Sequence, residues 1–155
     1  MVSGGTDIAT LLADMDPTLS AVELVFCSFP NASVTDKALL EPIGSFMEPE
    51  GLSLIVSRQV AEAHGIPYSV VLQGITLNVH SSLEAVGLTA AVAGRLTQHG
   101  ISANVVAAYH HDHVFVPVAD AERALAVLRT LQTEAAASRG GNRLDLDQEL
   151  GSVEP

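Results

Sequence analysis

The chain has 155 residues, the length of one ordinary domain or of two very small ones, and either can bury a core. Seven Lys and Arg against 18 Asp and Glu leave a formal charge of -11, which excludes a phosphate-neutralising nucleic-acid surface and gives no attraction to an anionic membrane. With 48% hydrophobic and 16% charged residues and a mean hydropathy of +0.34, the composition is that of a globular chain and not of a disordered one.

In chain order, residues 7–15 place apolar side chains at 8, 11, 12 and 15, a helical spacing, with Thr6 or Asp7 as the cap. Residues 22–29 read as a strand that Pro30-Asn31 stops. It holds Cys27, the only cysteine, so intrachain disulfides and thiolate metal sites are excluded by counting, and a small buried thiol is expected there. Residues 36–40 can form one helical turn. Residues 43–48 and 52–56 form a hairpin around Pro49-Glu50-Gly51, and Ser57 caps a helix through His64 that Gly65 and Pro67 end.

The second half repeats this order. Residues 70–79 are a long β-branched strand interrupted by Gly74, and Ser81 and Ser82 stand before a helix over residues 83–96 that stops at Gly100. Strands over residues 104–109 and 114–118 flank the polar turn 110–113, and Asp120 opens a last helix with apolar residues at 121, 124, 125, 128 and 131. From Ser138 onward, Gly140-Gly141 and scattered acids read as a mobile tail, with an edge strand possible over residues 143–150. Dividing the long strand at Gly74 gives βαββαβ and then βαββα. The predicted units are residues 1–73 and 74–137, followed by an acidic tail over 138–155. The second unit lacks a last strand, which the tail, the N-terminal segment or an interleaved topology would have to supply.

That order of elements, with Val79-His-Ser-Ser-Leu-Glu-Ala-Val-Gly-Leu-Thr-Ala-Ala-Val92 and the stretch from Gly100 to Val118 that contains Tyr109-His-His-Asp-His113, resembles the ACT-domain family, and more narrowly its small proteins of two tandem ACT-like units. The resemblance spans roughly residues 6–135 and is specific in the second half and loose in the first. It implies an α+β fold, a ferredoxin-like sandwich in each unit, no catalysis by the domain itself, and regulation through a bound small molecule, usually an amino acid. Aspartokinase-type pairs associate sheet to sheet with the ligand at their interface, and such pairs can be interleaved.

An amino-acid site is expected independently from local chemistry. A helix starting at Ser81 and Ser82 would present unpaired N–H groups and a partial positive charge to a ligand carboxylate. The strand at Asn104 would offer carbonyls and an amide to an ammonium group. The candidate ligand-binding residues are His80, Ser81, Ser82, Leu83, Asn104, Val105, Val106, His111, Asp112 and His113. Ser81 or Ser82 serves equally well as an ordinary helix cap, and Asn104 as a turn-satisfying amide.

Residues 110–113 carry three imidazoles and a carboxylate, types that ligate Zn²⁺ or another borderline divalent ion. On a strand they split between two faces, so a metal needs His80 brought close and a second shell of hydrogen bonds. A polar β-turn or a ligand contact fits them too. His80-Ser81 is no nucleophile pair, because adjacent side chains seldom meet and no Gly-x-Ser-x-Gly elbow exists. The expectation is therefore a non-enzymatic amino-acid sensor without a cofactor, dimerising with itself and signalling to another, unidentified protein. A metal-binding protein built on residues 110–113 and a ligand-independent interaction module are the alternatives. Without a cationic start followed by an apolar stretch, the N-terminus predicts a cytoplasmic location.

Overall fold

The computed structural model describes residues 5–150, with side chains described for residues 5–140. Asp7 accepts a hydrogen bond from the Thr10 amide at 2.9 Å and caps α1 (Ile8–Ala13), as the spacing of apolar residues predicts. The strand expected from residue 22 begins five residues earlier, as β1 (Pro17–Phe29). A 3₁₀ turn (Thr35–Leu40) leads to the predicted hairpin of β2 (Gly44–Glu48) and β3 (Gly51–Ser57). The Ser57 hydroxyl then accepts from the Val60 amide and caps α2 (Arg58–Ala63). The second half runs β4 (Leu72–Leu77), α3 (Leu88–Gln98), β5 (Asn104–Ala107), β6 (Asp112–Pro117) and α4 (Ala121–Leu150).

Six strands form one sheet in the order β2-β3-β1-β4-β6-β5. The order is symmetric about the β1–β4 seam, where residues 17–19 of β1 oppose 77–75 of β4, and residues 23 and 24 oppose 73 and 72. Each unit therefore takes its last strand from the other's first. The start of β4 closes the first unit beside β1, and the start of β1 closes the second beside β4. The missing last strand comes from the N-terminal segment, and the units are interleaved. They join edge to edge in a single sheet, unlike the sheet-to-sheet contact the resemblance implies.

Between Leu19 and Glu23 the register shifts by two residues, a bulge fastened by Gln73, whose Nε2 donates to the Ser20 carbonyl at 3.0 Å. Partners directly opposite share a face. Glu23 opposes Gln73 and Leu19 opposes Ile75, so Val25 and Cys27 lie on the same side of the sheet as Ile75 and Leu77. The helices of both units cover that side. The first core packs Val25, Cys27, Leu52, Leu54 and Val56 with Ala61. The second packs Ile75, Leu77, Val114 and Val116 with Leu11, Met15, Val92, Leu96 and Leu128. On the helix-free side Leu24, Ile55, Leu72 and Phe115 make a smaller cluster, with Phe26 standing edge-on to Phe115 at 5.6 Å. Cys27 is buried, and burial pushes its thiol pKa up, away from a nucleophile's range.

Two expectations are corrected at the C-terminal end. Residues 138–150, expected as a tail with an edge strand over 143–150, continue helix α4, while residues 151–155 lie outside the described residues. Among the described residues no helix is long and apolar enough to cross a membrane.

The β2–β3 turn depends on Gly51. Its φ is +134°, and an added Cβ would lie 2.6 Å from the Phe29 carbonyl oxygen and 2.8 Å from Pro30 Cα. Gly51→Ala is expected to cost about 2–4 kcal/mol of stability, measured as a lower urea midpoint with an unchanged slope.

Candidate functional site

Two loops meet at the end of the seam, residues 78–87 after β4 and the β5–β6 turn. Asn78 holds the first loop to β1, donating through Nδ2 to the Asp16 carbonyl at 2.7 Å and to Thr18 Oγ1 at 3.2 Å. A parallel bridge joins Gly5 to Ser81. In it the Gly5 amide donates to the His80 carbonyl at 2.9 Å and the Ser82 amide to the Gly5 carbonyl at 3.0 Å.

The expected helix start at Ser81 and Ser82 is not where α3 begins. Gly87, at φ 108°, precedes Leu88 as the cap, without a side-chain hydrogen bond, and this backbone cannot continue a right-handed helix backwards. Leu83 is exposed in the intervening turn. Ser82 Oγ accepts from the Glu84 amide at 3.2 Å, a local turn. Ser81 Oγ instead donates to Asp112 Oδ2 at 3.3 Å. Asp112, 6% exposed, is the one buried charged side chain among the described residues.

Three imidazoles cluster on the same two loops. The His80 ring centre lies 4.9 Å from that of His111 and 5.5 Å from that of His110, with His110 and His111 6.3 Å apart. His111 Nδ1 lies 3.4 Å from the Val79 carbonyl, and the exposed Tyr109 ring stands edge-on to His110 at 4.8 Å. His113 is separate: it opposes Thr76 on the helix-free side, with its Nδ1 3.1 Å from Thr76 Oγ1.

Thus the structure gathers His80, Ser81, His111 and Asp112, and adds His110 to them. It does not bring Asn104 there. Asn104 opposes Phe115, and Val106 opposes His113, both on the helix-free side. Three residues separate Asn104 from Ala107, which opposes Asp112, a distance of about 10 Å along the strand. Val105 packs against the second core. Sequence reasoning missed Gly5 and the Val79 carbonyl, which act through the backbone and leave no side-chain signal. It also missed an apolar groove of about 860 Å³ between α1 and the middle of α4, lined by Ile8, Leu12, Ala135 and Ala136 among others.

Each half of the sheet is a βαββαβ unit closed by its neighbour's strand, and two profiles of the ACT domain match the chain, over residues 3–73 and 72–130. The chain belongs to the ACT-domain family and carries two ACT domains in tandem. Among solved structures, a Vibrio cholerae protein described as of unknown function and a possible transport protein is 47% identical, with a TM-score of 0.73 over 80% of this chain and 94% of that one. The ligand-free regulatory subunit of aspartate kinase from Thermus thermophilus shares the fold at 12% identity, with a TM-score of 0.53 over 74% of this chain and 95% of that one. A protein from Agrobacterium tumefaciens shares it at 16% identity and a TM-score of 0.57, over 75% of this chain and 87% of that one. No match was found among curated proteins.

Burial holds the His113 pKa below its ordinary 6.5, the nearby His111 adds to this, and Asp112 opposes it. Below pH 6.5 the unfolded chain takes up a proton at this position that the folded chain resists. His113 therefore removes stability as the pH falls from 6.5 towards its folded pKa, and contributes no such loss above 6.5. His113→Asn is expected to flatten the urea-midpoint profile between pH 6.5 and 5 and to leave its slope above pH 7 unchanged.

Proposed function

We propose that the chain is a regulatory protein that binds a free amino acid at the seam-end junction of His80, Ser81, His110, His111 and Asp112 and passes the occupancy to another protein, without catalysing a reaction itself. The observation that carries the reading is the buried Asp112 carboxylate bonded to Ser81, whose chain neighbour His80 lies near His111 of the facing loop. An ammonium group has Asp112 as its charge partner, and a carboxylate has imidazole N–H donors. The tandem ACT fold supports this, since ACT domains are typically regulatory and bind amino acids. The site's position supports it too, because it lies where the two units meet.

A thermal-shift panel of the twenty amino acids tests the proposal. A ligand at 100 times its Kd adds about 2.7 kcal/mol, so at least one amino acid is expected to raise the Tm by several degrees. His80→Gln is expected to abolish that shift while keeping the unliganded Tm within about 2 °C. A flat panel overturns the reading.

We also propose a homodimer joined along the β2 edge. Beside its unpaired backbone groups, Ile43, Phe46 and Met47 are exposed at 62%, 46% and 66%. Sedimentation is expected to give twice the 16.1 kDa chain mass, and Phe46→Glu to give a monomer with unchanged circular dichroism.

A further inference from the structure

A metal reading of the sequence depends on two conditions: a histidine delivered from the β4 side, and a hydrogen bond orienting one of the imidazoles. The structure meets both. The loop after β4 carries His80 to within 4.9 and 5.5 Å of the His111 and His110 ring centres. The Val79 carbonyl, which can only accept, lies 3.4 Å from His111 Nδ1. That contact puts the proton of neutral His111 on Nδ1 and leaves the Nε2 lone pair available, the tautomer a metal ligand needs.

The spacing suits one ion. A Zn–N bond of about 2.0–2.1 Å places each imidazole centre about 3.2 Å from the metal, and a tetrahedral angle then sets ring centres about 5.2 Å apart. The observed 4.9 and 5.5 Å bracket that value, and the 6.3 Å between His110 and His111 must close by about 1 Å. His80 and His110 are exposed and free to turn about χ1 and χ2. Among the described residues no three potential ligands already converge on one point, so the site forms by those rotations on a fixed backbone. The Ser81 bond to Asp112 holds one loop against the other, and the Gly5 bridge fastens the first loop to the N-terminal segment.

The local charge favours a cation. Residues 78–87 and 104–113 contain no Lys or Arg, while Asp112 and Glu84 lie among them and the whole chain carries -11.

We propose that His80, His110 and His111 form an inducible site for one divalent transition-metal ion of the imidazole-preferring kind, Zn²⁺ or Ni²⁺. It shares these imidazoles with the proposed amino-acid site, and metal uptake is read with no amino acid present.

The test is titration calorimetry of the untagged, chelator-treated full chain with Zn²⁺ and, separately, Ni²⁺. One ion per chain with a micromolar Kd is expected for each. His80→Gln and His110→Gln keep a polar side chain at exposed positions. Each is expected to weaken binding at least tenfold, while His64→Gln, at the far end of α2, changes nothing. No saturable uptake, or uptake indifferent to both His80→Gln and His110→Gln, overturns the proposal.

Discussion

The antiparallel seam of β1 and β4 is the constraint on which the remaining structure rests. Neither unit contains all the strands its fold requires, and each is completed only when the other's first strand lies beside it. A sheet edge left open would expose a row of unpaired N–H and C=O groups next to a half-covered core. Fusion of the units is thus a structural necessity, and the small size of each unit points the same way. The seam also decides orientation. Its register places Val25 and Ile75 on one side, so both sets of helices share that side, and the loop leaving β4 emerges beside the start of β1.

The candidate site inherits its position from that seam. Burial of a carboxylate is costly unless hydrogen bonds or charges compensate, and Asp112 gains one such bond from Ser81. The neighbouring imidazoles add groups that can both donate and accept hydrogen bonds, which suits a location meant to gain and lose a ligand. A fixed ion pair of the kind Arg58 makes with Glu23 and Glu62 on α2 would satisfy the carboxylates permanently and leave nothing to recognise.

Much of the fold was legible because local chemistry and tertiary packing agree. Pro49-Glu50-Gly51 marks the turn between β2 and β3, Ser57 caps α2, and residues 121, 124, 125, 128 and 131 of α4 are buried, joined by Val127. Where the two disagree, the sequence misleads. Ser81 and Ser82 have the composition of a helix cap, but Ser81 bonds a buried carboxylate 31 residues away, and the helix waits for Gly87. The start of β1 was hidden because Pro17 and a two-residue bulge break its alternation. The proximity of His80 to His110 and His111 was stated only as a condition, since pairing of β4 with β6 sets it and no local pattern does. Asn104 was placed with Ser81 on the assumption that a strand beside a helix start must face it, and strand alternation turns it to the other side.

Helix α1 packs against α4, where Gln132 Nε2 donates to the Ala13 carbonyl at 3.1 Å across 119 positions of sequence. During vectorial synthesis at 5–20 residues per second, α1 and the first residues of β1 emerge roughly 6 to 24 s before the helix that covers them. This segment is therefore made well before its partner helix and is among the last to find its place. Contacts this distant in sequence carry a large loop-closure entropy, which makes the final docking step slow. Until then Leu11 and Met15, both about fully buried in the finished protein, stand in water or against a chaperone, so the nascent chain is more exposed to aggregation than the folded one.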